Sequence, residues 1–260
     1  MKSIAIANQK GGVGKTSLCL HTAGALAEAG QSVLLVDMDQ QGDLSSVFID
    51  HIYTLPRTVV DLLTENPEVT PAEVIQPTQI DKINILPANL YLGDLDERLA
   101  GNFDAEFYLY EALQEVRDTY DFVLIDCPPH LGRATRMAMI AASVVLIPLE
   151  CQEWATVGTK RMLAYIDRVK KRANPQLELM GFVINKLKTR RTLEEEFRQV
   201  LRAEYGSKVF QTEFRDNVQF AEAAAARMPI THYQPNSEQA DLYRSFIKEV
   251  LCYAEKTTVS

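Results

Sequence analysis

The sequence predicts an α/β fold, a single doubly wound and mostly parallel sheet flanked by helices, on three observations. Short β-branched apolar runs alternate with helical patterns along the chain. Those runs are apolar throughout rather than at every second residue, as strands covered on both faces require. The first run leads directly into a glycine loop and then a helix.

The strands fall at 4–7, 33–36, 83–86, 122–125, 144–149 and 180–184, and the helices at 16–29, 106–117, 132–142, 156–172, 192–205 and 238–254. Helices placed between strands carry the chain back over the sheet, so that successive strands run parallel. The stretch 49–79 holds Pro56, Pro67, Pro71 and Pro77 and is the least regular; short helices on the sheet edge and a partner-binding excursion both suit it. No Pro, Gly or Ser linker and no internal repeat divides the chain, which reads as one domain over 1–260.

With 260 residues, 47% of them hydrophobic, the chain can bury a sizeable core. It lacks an apolar run of about eighteen residues, and its first strand follows Met1 almost at once, so a soluble cytoplasmic protein without signal peptide or membrane span is expected. Cys19, Cys127, Cys151 and Cys252 are scattered without a C-x-x-C pair, and His21, His51, His130 and His232 are equally dispersed, which argues against metal chemistry built on them. The net charge of −8 hides an asymmetry. Residues 1–159 carry 9 Lys/Arg against 22 Asp/Glu, whereas 160–260 carry 18 against 13, a net of +5 that forms either a separate basic face or ordinary solvated helices.

The chemistry is concentrated after the first strand, in Asn8-Gln9-Lys10-Gly11-Gly12-Val13-Gly14-Lys15-Thr16-Ser17. Glycines at 11, 12 and 14 let the backbone wrap a phosphate chain with its N–H groups pointing inward, and the following helix adds its positive end. In such a P-loop Lys15 reaches the β- and γ-phosphates and the Thr16 hydroxyl ligates Mg²⁺, which makes ATP and Mg²⁺ the expected cofactors and residues 10–17 the nucleotide contacts.

The loop departs from the ordinary P-loop in having Gln9 at its first glycine position and Lys10 next to it. It resembles the deviant Walker-A signature K-G-G-x-G-K-T/S of the ParA/MinD family of partition and positioning ATPases. Two further segments resemble the same family in the expected order: Asp37-Met38-Asp39-Gln40-Gln41-Gly42-Asp43 its D-x-D-x-Q-G-N switch, and Asp126-Cys127-Pro128-Pro129 its D-x-P-P strand end. The resemblance implies that Lys10 reaches across a homodimer interface to the partner's phosphates, that Asp39 orients the attacking water, and that Asp126 holds the Mg²⁺ shell. It also implies that Asn185, at the end of a late strand, serves the adenine base. Asp37 either supports this site or caps its strand. Gln40 is a departure, since many relatives have proline there.

Within that family the chain looks like the short ParA type, which lacks an N-terminal helix-turn-helix domain and binds DNA without sequence preference as an ATP dimer. A MinD-like branch would end in a basic membrane-seeking helix; here Leu242, Phe246, Ile247, Val250 and Leu251 recur at core-facing spacing instead, so no stable membrane association is expected. The electron-carrying iron-protein branch would need cluster cysteines at a dimer surface, which neither Cys19 nor Cys127 obviously offers, and no pocket signature of a small-molecule synthetase is visible. Around 186–195, Thr192 and Glu195 have capping-box spacing, and Arg190 and Arg191 precede a helix N-terminus where cations are disfavoured, which suggests a use in binding phosphate. Lys186, Lys188 and Arg215 complete the expected DNA contacts, with Arg198, Arg202 and Arg227 as substitutes, because Gln219 stands where the relatives place a second DNA-binding arginine. The implied partners are a second copy of the chain, non-specific DNA of the nucleoid and a ParB-like or other cargo adaptor.

Overall fold

The computed structural model describes residues 1–102, 104–151, 157–188 and 192–258. The strands are β1 Lys2–Ile6, β2 Val33–Asp37, β3 Gln76–Pro77, β4 Ile83–Leu86, β5 Phe122–Asp126, β6 Val144–Glu150 and β7 Glu178–Asn185. They form one sheet in the order β3-β4-β2-β5-β1-β6-β7, parallel except for β3, which pairs antiparallel with β4. The main helices are α1 Lys15–Glu28, α2 Asp43–Phe48, α3 Pro71–Val74, α4 Leu95–Arg98, α5 Tyr108–Glu115, α6 Arg133–Ala141, α7 Val157–Arg172, α8 Thr192–Tyr205, α9 Val218–Ala225, α10 Ile230–Tyr233 and α11 Glu238–Thr258.

The continuous apolar strands are explained by the two layers they serve. Side chains alternate across a strand, so Ala5, Leu34, Val36, Val123 and Ile125 enter the layer under α5, α6 and α7. Ile4, Ile6, Val33, Leu35 and Leu124 enter the layer under α1, α9 and α11. α11 buries Tyr243, Phe246, Ile247 and Val250 there, the core-facing use expected of its spacing. Each such side chain contributes about 1.5–3 kcal/mol on burial. Among the described residues no helix is long and apolar enough to cross a membrane.

The irregular stretch folds as short pieces on the sheet edge: single 3-10 turns at Ile52–Thr54 and Val59–Leu62, then α3 and the edge strand β3. The helix expected at 106–117 is shorter, because the Asn102 side chain accepts from the N–H groups of Asp104 and Ala105 and starts the segment as a 3-10 turn. α9 was not anticipated; its signal is Asn217, whose side chain caps Gln219 N at 2.9 Å. Both edges of the sheet are blunted. β3 ends in Pro77, and the chain around 209–216 lies along β7, with Phe210 N bonded to Phe182 O and Phe214 N to Ile184 O.

α1 is fastened to the C-terminal segment at one buried point. The His21 Nδ1 accepts from Ile230 N at 3.0 Å, and its ring lies 5.2 Å from those of Phe220 and Tyr243. Gly24, one turn on, faces Pro229 so closely that a Cβ would overlap the proline ring. Burial pushes the His21 pKa down to about 3. The folded state therefore refuses a proton that the unfolded chain accepts near pH 6.5, so this contribution is complete above that pH and is lost as pH falls toward 3. His21→Asn should be less stable than wild type at pH 7 by about 1–3 kcal/mol. In urea melts, that gap should narrow by about 1.4 kcal/mol per pH unit below 6.5; a gap independent of pH would contradict a buried neutral His21.

Candidate functional site

Parallel pairing decides what stands beside the glycine loop. β1, which delivers the loop, lies between β5 and β6, and Ile6 is opposite Asp126. Asp37 on β2 is opposite the same Asp126. The switch segment, the D-x-P-P turn and the glycine loop thus meet at the carboxyl end of the sheet, the position where open α/β sheets bind ligands.

The loop is braced from both sides by groups far away in sequence. Asn8 donates to Pro148 O at 2.8 Å and accepts from Lys10 N at 3.1 Å. Asn185 donates to Val13 O at 2.9 Å and accepts from Lys186 N. Gly14, at φ +87°, starts α1 against the Asn185 amide, which a Cβ would overlap, so the position requires glycine for both conformation and space. Lys15 is buried, and its Nζ donates to Lys10 O at 3.2 Å across the loop. Lys10 itself turns outward, and its ammonium pairs with Glu150 at the end of β6 at 3.4 Å.

The two strand-end carboxylates differ in their partners. Asp37 accepts from Ser45 N at 2.8 Å, Ser45 Oγ at 2.7 Å and Asp39 N at 3.1 Å, and Ser45 Oγ in turn accepts from Ala88 N. It is the anchor of the switch. Even with those bonds, burial raises its pKa to about 6. Asp126 is equally buried, yet neither of its oxygens completes a hydrogen bond. Burial and then the neighbouring Asp37 push it well above the ordinary carboxylate range, with the adjacent Thr16 hydroxyl and Lys15 opposing. Two unpartnered carboxylate oxygens beside a hydroxyl are a hard-oxygen donor set, and the residues fit Mg²⁺. Asp39 is half-exposed at the mouth, its Oδ1 accepting from Gln41 N. Gln40 is half-buried and reaches Gly93, where a Cβ would overlap its Oε1.

A cavity of about 330 Å³ opens beside the loop, lined by Gly14, Thr16, Ser17, Asn185, Asn217 and Phe220, with Lys186 and Arg215 at its wall. Asn8, Glu150 and Ser45 belong to the site and were not among the residues singled out from the sequence. Only Asn8 carried a signal, its position at the start of the loop. Cys19 and Cys127 are buried, and their thiols are pushed upward by burial and then by Asp126.

The expected DNA contacts fare unevenly. Arg190 and Arg191 lie outside the described residues, while Lys186 and Arg215 sit on the cavity wall and Lys188 is exposed. The substitutes are engaged elsewhere: Arg198 and Arg202 pair with Glu213, and Arg227 with Asp50. Glu195, expected to cap with Thr192, accepts from Arg198 and Gln199, and it is Glu194 that reaches back to Lys188 N.

The model of the family described as "AAA domain" matches residues 1–179. The chain is 34% identical over 249 residues to the sporulation initiation inhibitor protein Soj of Bacillus subtilis, covering 96% of this chain and 98% of that protein. It is 36% identical over 252 residues to the chromosome-partitioning ATPase Soj of Treponema pallidum, covering 96% and 97%. A solved structure described as cobyrinic acid a,c-diamide synthase from Mycobacterium smegmatis, with bound ADP and magnesium, is 31% identical with a TM-score of 0.77, covering 92% of this chain and 97% of that one.

The buried carboxylate pair yields a prediction about stability. A raised folded pKa means stability that is present at low pH and lost as pH rises through the folded value, so at pH 7 Asp126 weakens the ligand-free fold. Asp126→Asn removes that penalty and should raise the melting temperature of the ligand-free protein by several degrees, at about 2–4 °C per kcal/mol. It should also erase the extra stabilisation that MgATP gives over ATP with EDTA. An unchanged ligand-free melting temperature, or an intact magnesium increment, would count against the assignment.

Proposed function

The chain belongs to the Soj/ParA family of chromosome-partitioning ATPases, and on that premise we propose that it is an ATP-driven positioning switch, active as a dimer that holds DNA. ATP binds along residues 10–17, and Thr16 and Asp126 hold Mg²⁺, which supplies positive charge to the phosphates when bound. Asp39 orients the attacking water. ATP brings two copies face to face and joins their DNA contacts, Arg190 and Arg191 among them, so that nucleotide state sets DNA retention through avidity. A ParB-like or other cargo adaptor stimulates hydrolysis and release, and turnover without it is slow. The protein is expected in the cytoplasm, associated with the nucleoid.

The observation that carries this reading is the position of Lys10. A lysine needed only by its own loop would point inward beside Lys15; Lys10 is 37% exposed and held by one ion pair to Glu150. Such a pair is worth about 0–1 kcal/mol, little enough for the ammonium to leave toward a second copy's phosphates. The pair therefore restrains the monomer weakly and reversibly.

Two variants test the switch. Lys10→Ala should bind ATP near wild-type affinity yet remain monomeric in light scattering, whereas Glu150→Gln should dimerise at lower ATP concentration. A dimeric Lys10→Ala protein with ATP contradicts the role across the interface.

Asp39→Ala should bind ATP and Mg²⁺, hydrolyse at least tenfold more slowly, and accumulate as a dimer retained on DNA. DNA retention is compared with ATP, with ADP and without nucleotide. Equal retention in all three states, or a monomer with ATP, would reject the cycle. Wild-type turnover indifferent to DNA and to self-association would favour a synthetase instead.

A further inference from the structure

The positive excess of the second part of the chain is confined to one helix. Residues 160–172 hold six Lys/Arg and one Asp, a net of +5, while 173–260 hold twelve of each sign and are neutral. This is nearly all of α7. Within it Arg161, Tyr165, Arg168 and Arg172 recur at spacings of four, three and four and share one stripe. α6 runs alongside and adds Arg133 and Arg136. Together with Asn102 and Glu106, the two helices line a cavity of about 420 Å³ into which Arg133, Arg136, Arg168 and Arg172 bring four guanidinium groups against that single carboxylate.

Few of these charges are neutralised. Arg133 pairs with Asp96 at 3.4 Å and Arg136 with Glu106 at 2.9 Å. Arg168 and Arg172 are exposed and have no ion-pair partner among the described residues. The Arg136 Nε is buried without a hydrogen-bond acceptor. In a chain of net charge −8, gathering four guanidinium groups around one cavity opposes the general balance and adds mutual repulsion, which Glu106 on the lining and Asp96 beside it offset for Arg133 and Arg136 but not for Arg168 and Arg172.

Resting on the reading of the protein as a DNA-retained ATPase, we propose that the groove between α6 and α7 is a further nucleic-acid surface, beyond Arg190 and Arg191, and receives the phosphate backbone. Donors dominate the groove, as phosphate oxygens require, and arginine forks bind such oxygens in pairs. From Arg161 to Arg172 the stripe extends about 16 Å along the helix, the shape of an extended polyanion rather than of one small ion. Val169 and Ala173 are the apolar lining, too little to anchor a peptide. The substitutes expected from the sequence offer less: Arg198, Arg202 and Arg227 are bound to acids, and the Gln219 amide is bonded to Gln234.

The test is fluorescence anisotropy of a labelled duplex with the full chain, ATP and Mg²⁺ over a salt series. Arg168→Ala combined with Arg172→Ala should weaken binding at least tenfold and lower the slope of log affinity against log salt by about 1–2, as loss of one or two phosphate contacts predicts. Arg168→Lys with Arg172→Lys should retain most of the affinity, and unchanged melting temperatures of both pairs show that the fold is intact. Wild-type binding that survives unchanged in the alanine pair overturns the groove and leaves the DNA-binding reading standing. A wild-type protein that binds no duplex in any nucleotide state overturns both. Polyglutamate that displaces duplex at lower charge concentration than unlabelled duplex would assign the groove to an acidic protein partner and overturn the nucleic-acid assignment.

Discussion

Everything around the site is arranged to tolerate two carboxylates held side by side in the dry end of a parallel sheet. The register of β2 against β5 sets Asp37 opposite Asp126, and burial makes both reluctant to ionise, with repulsion from Asp39 adding to it at Asp37 and from Asp37 at Asp126. The structure answers them differently. Asp37 receives three hydrogen bonds and becomes the fixed point of the switch segment. Asp126 receives none and is left reactive toward a cation. One penalty is absorbed within the fold and the other is left standing, so that under the Mg²⁺ site proposed above the stability of the chain follows its occupancy.

The same economy governs the two lysines of the loop. Lys15 is buried and bonded back to the loop backbone, so its charge is committed to the phosphate position. Lys10 is half-exposed and tethered across 140 residues to Glu150, so its charge is held outside the loop. The brackets Asn8 and Asn185 hold the loop without the Lys10 side chain, since Asn8 donates to Pro148 O and Asn185 to Val13 O.

Much of this was legible in the sequence, for reasons that are local. The glycine loop, its strand and its helix are contiguous, so Lys15, Thr16 and their geometry follow from spacing alone. Asp37 was left between two roles, and its three bonds make it an anchor for the switch. What sequence could not convey depends on pieces brought together by folding. Glu150 is an ordinary strand-end acid until β6 lies beside β1. Arg198 and Arg202 look available until Glu213 is packed against them. The groove is the clearest case, since Arg133 and Arg136 fall in the acidic part of the chain and join α7 only through the packing of neighbouring helices.

The covered sheet edges carry a consequence for assembly. An open strand edge is a template on which copies can polymerise by backbone pairing. Here one edge closes on a two-residue strand ending in proline, and the other lies under the 209–216 segment. Among the described residues, growth into fibres by strand addition has no long ladder to extend at either edge, which leaves side-chain surfaces for the dimer proposed above. Side-chain surfaces can be remade by a bound nucleotide, whereas a backbone ladder, once formed, is indifferent to it. Blunted edges thus suit the reversible, nucleotide-governed association proposed for this chain.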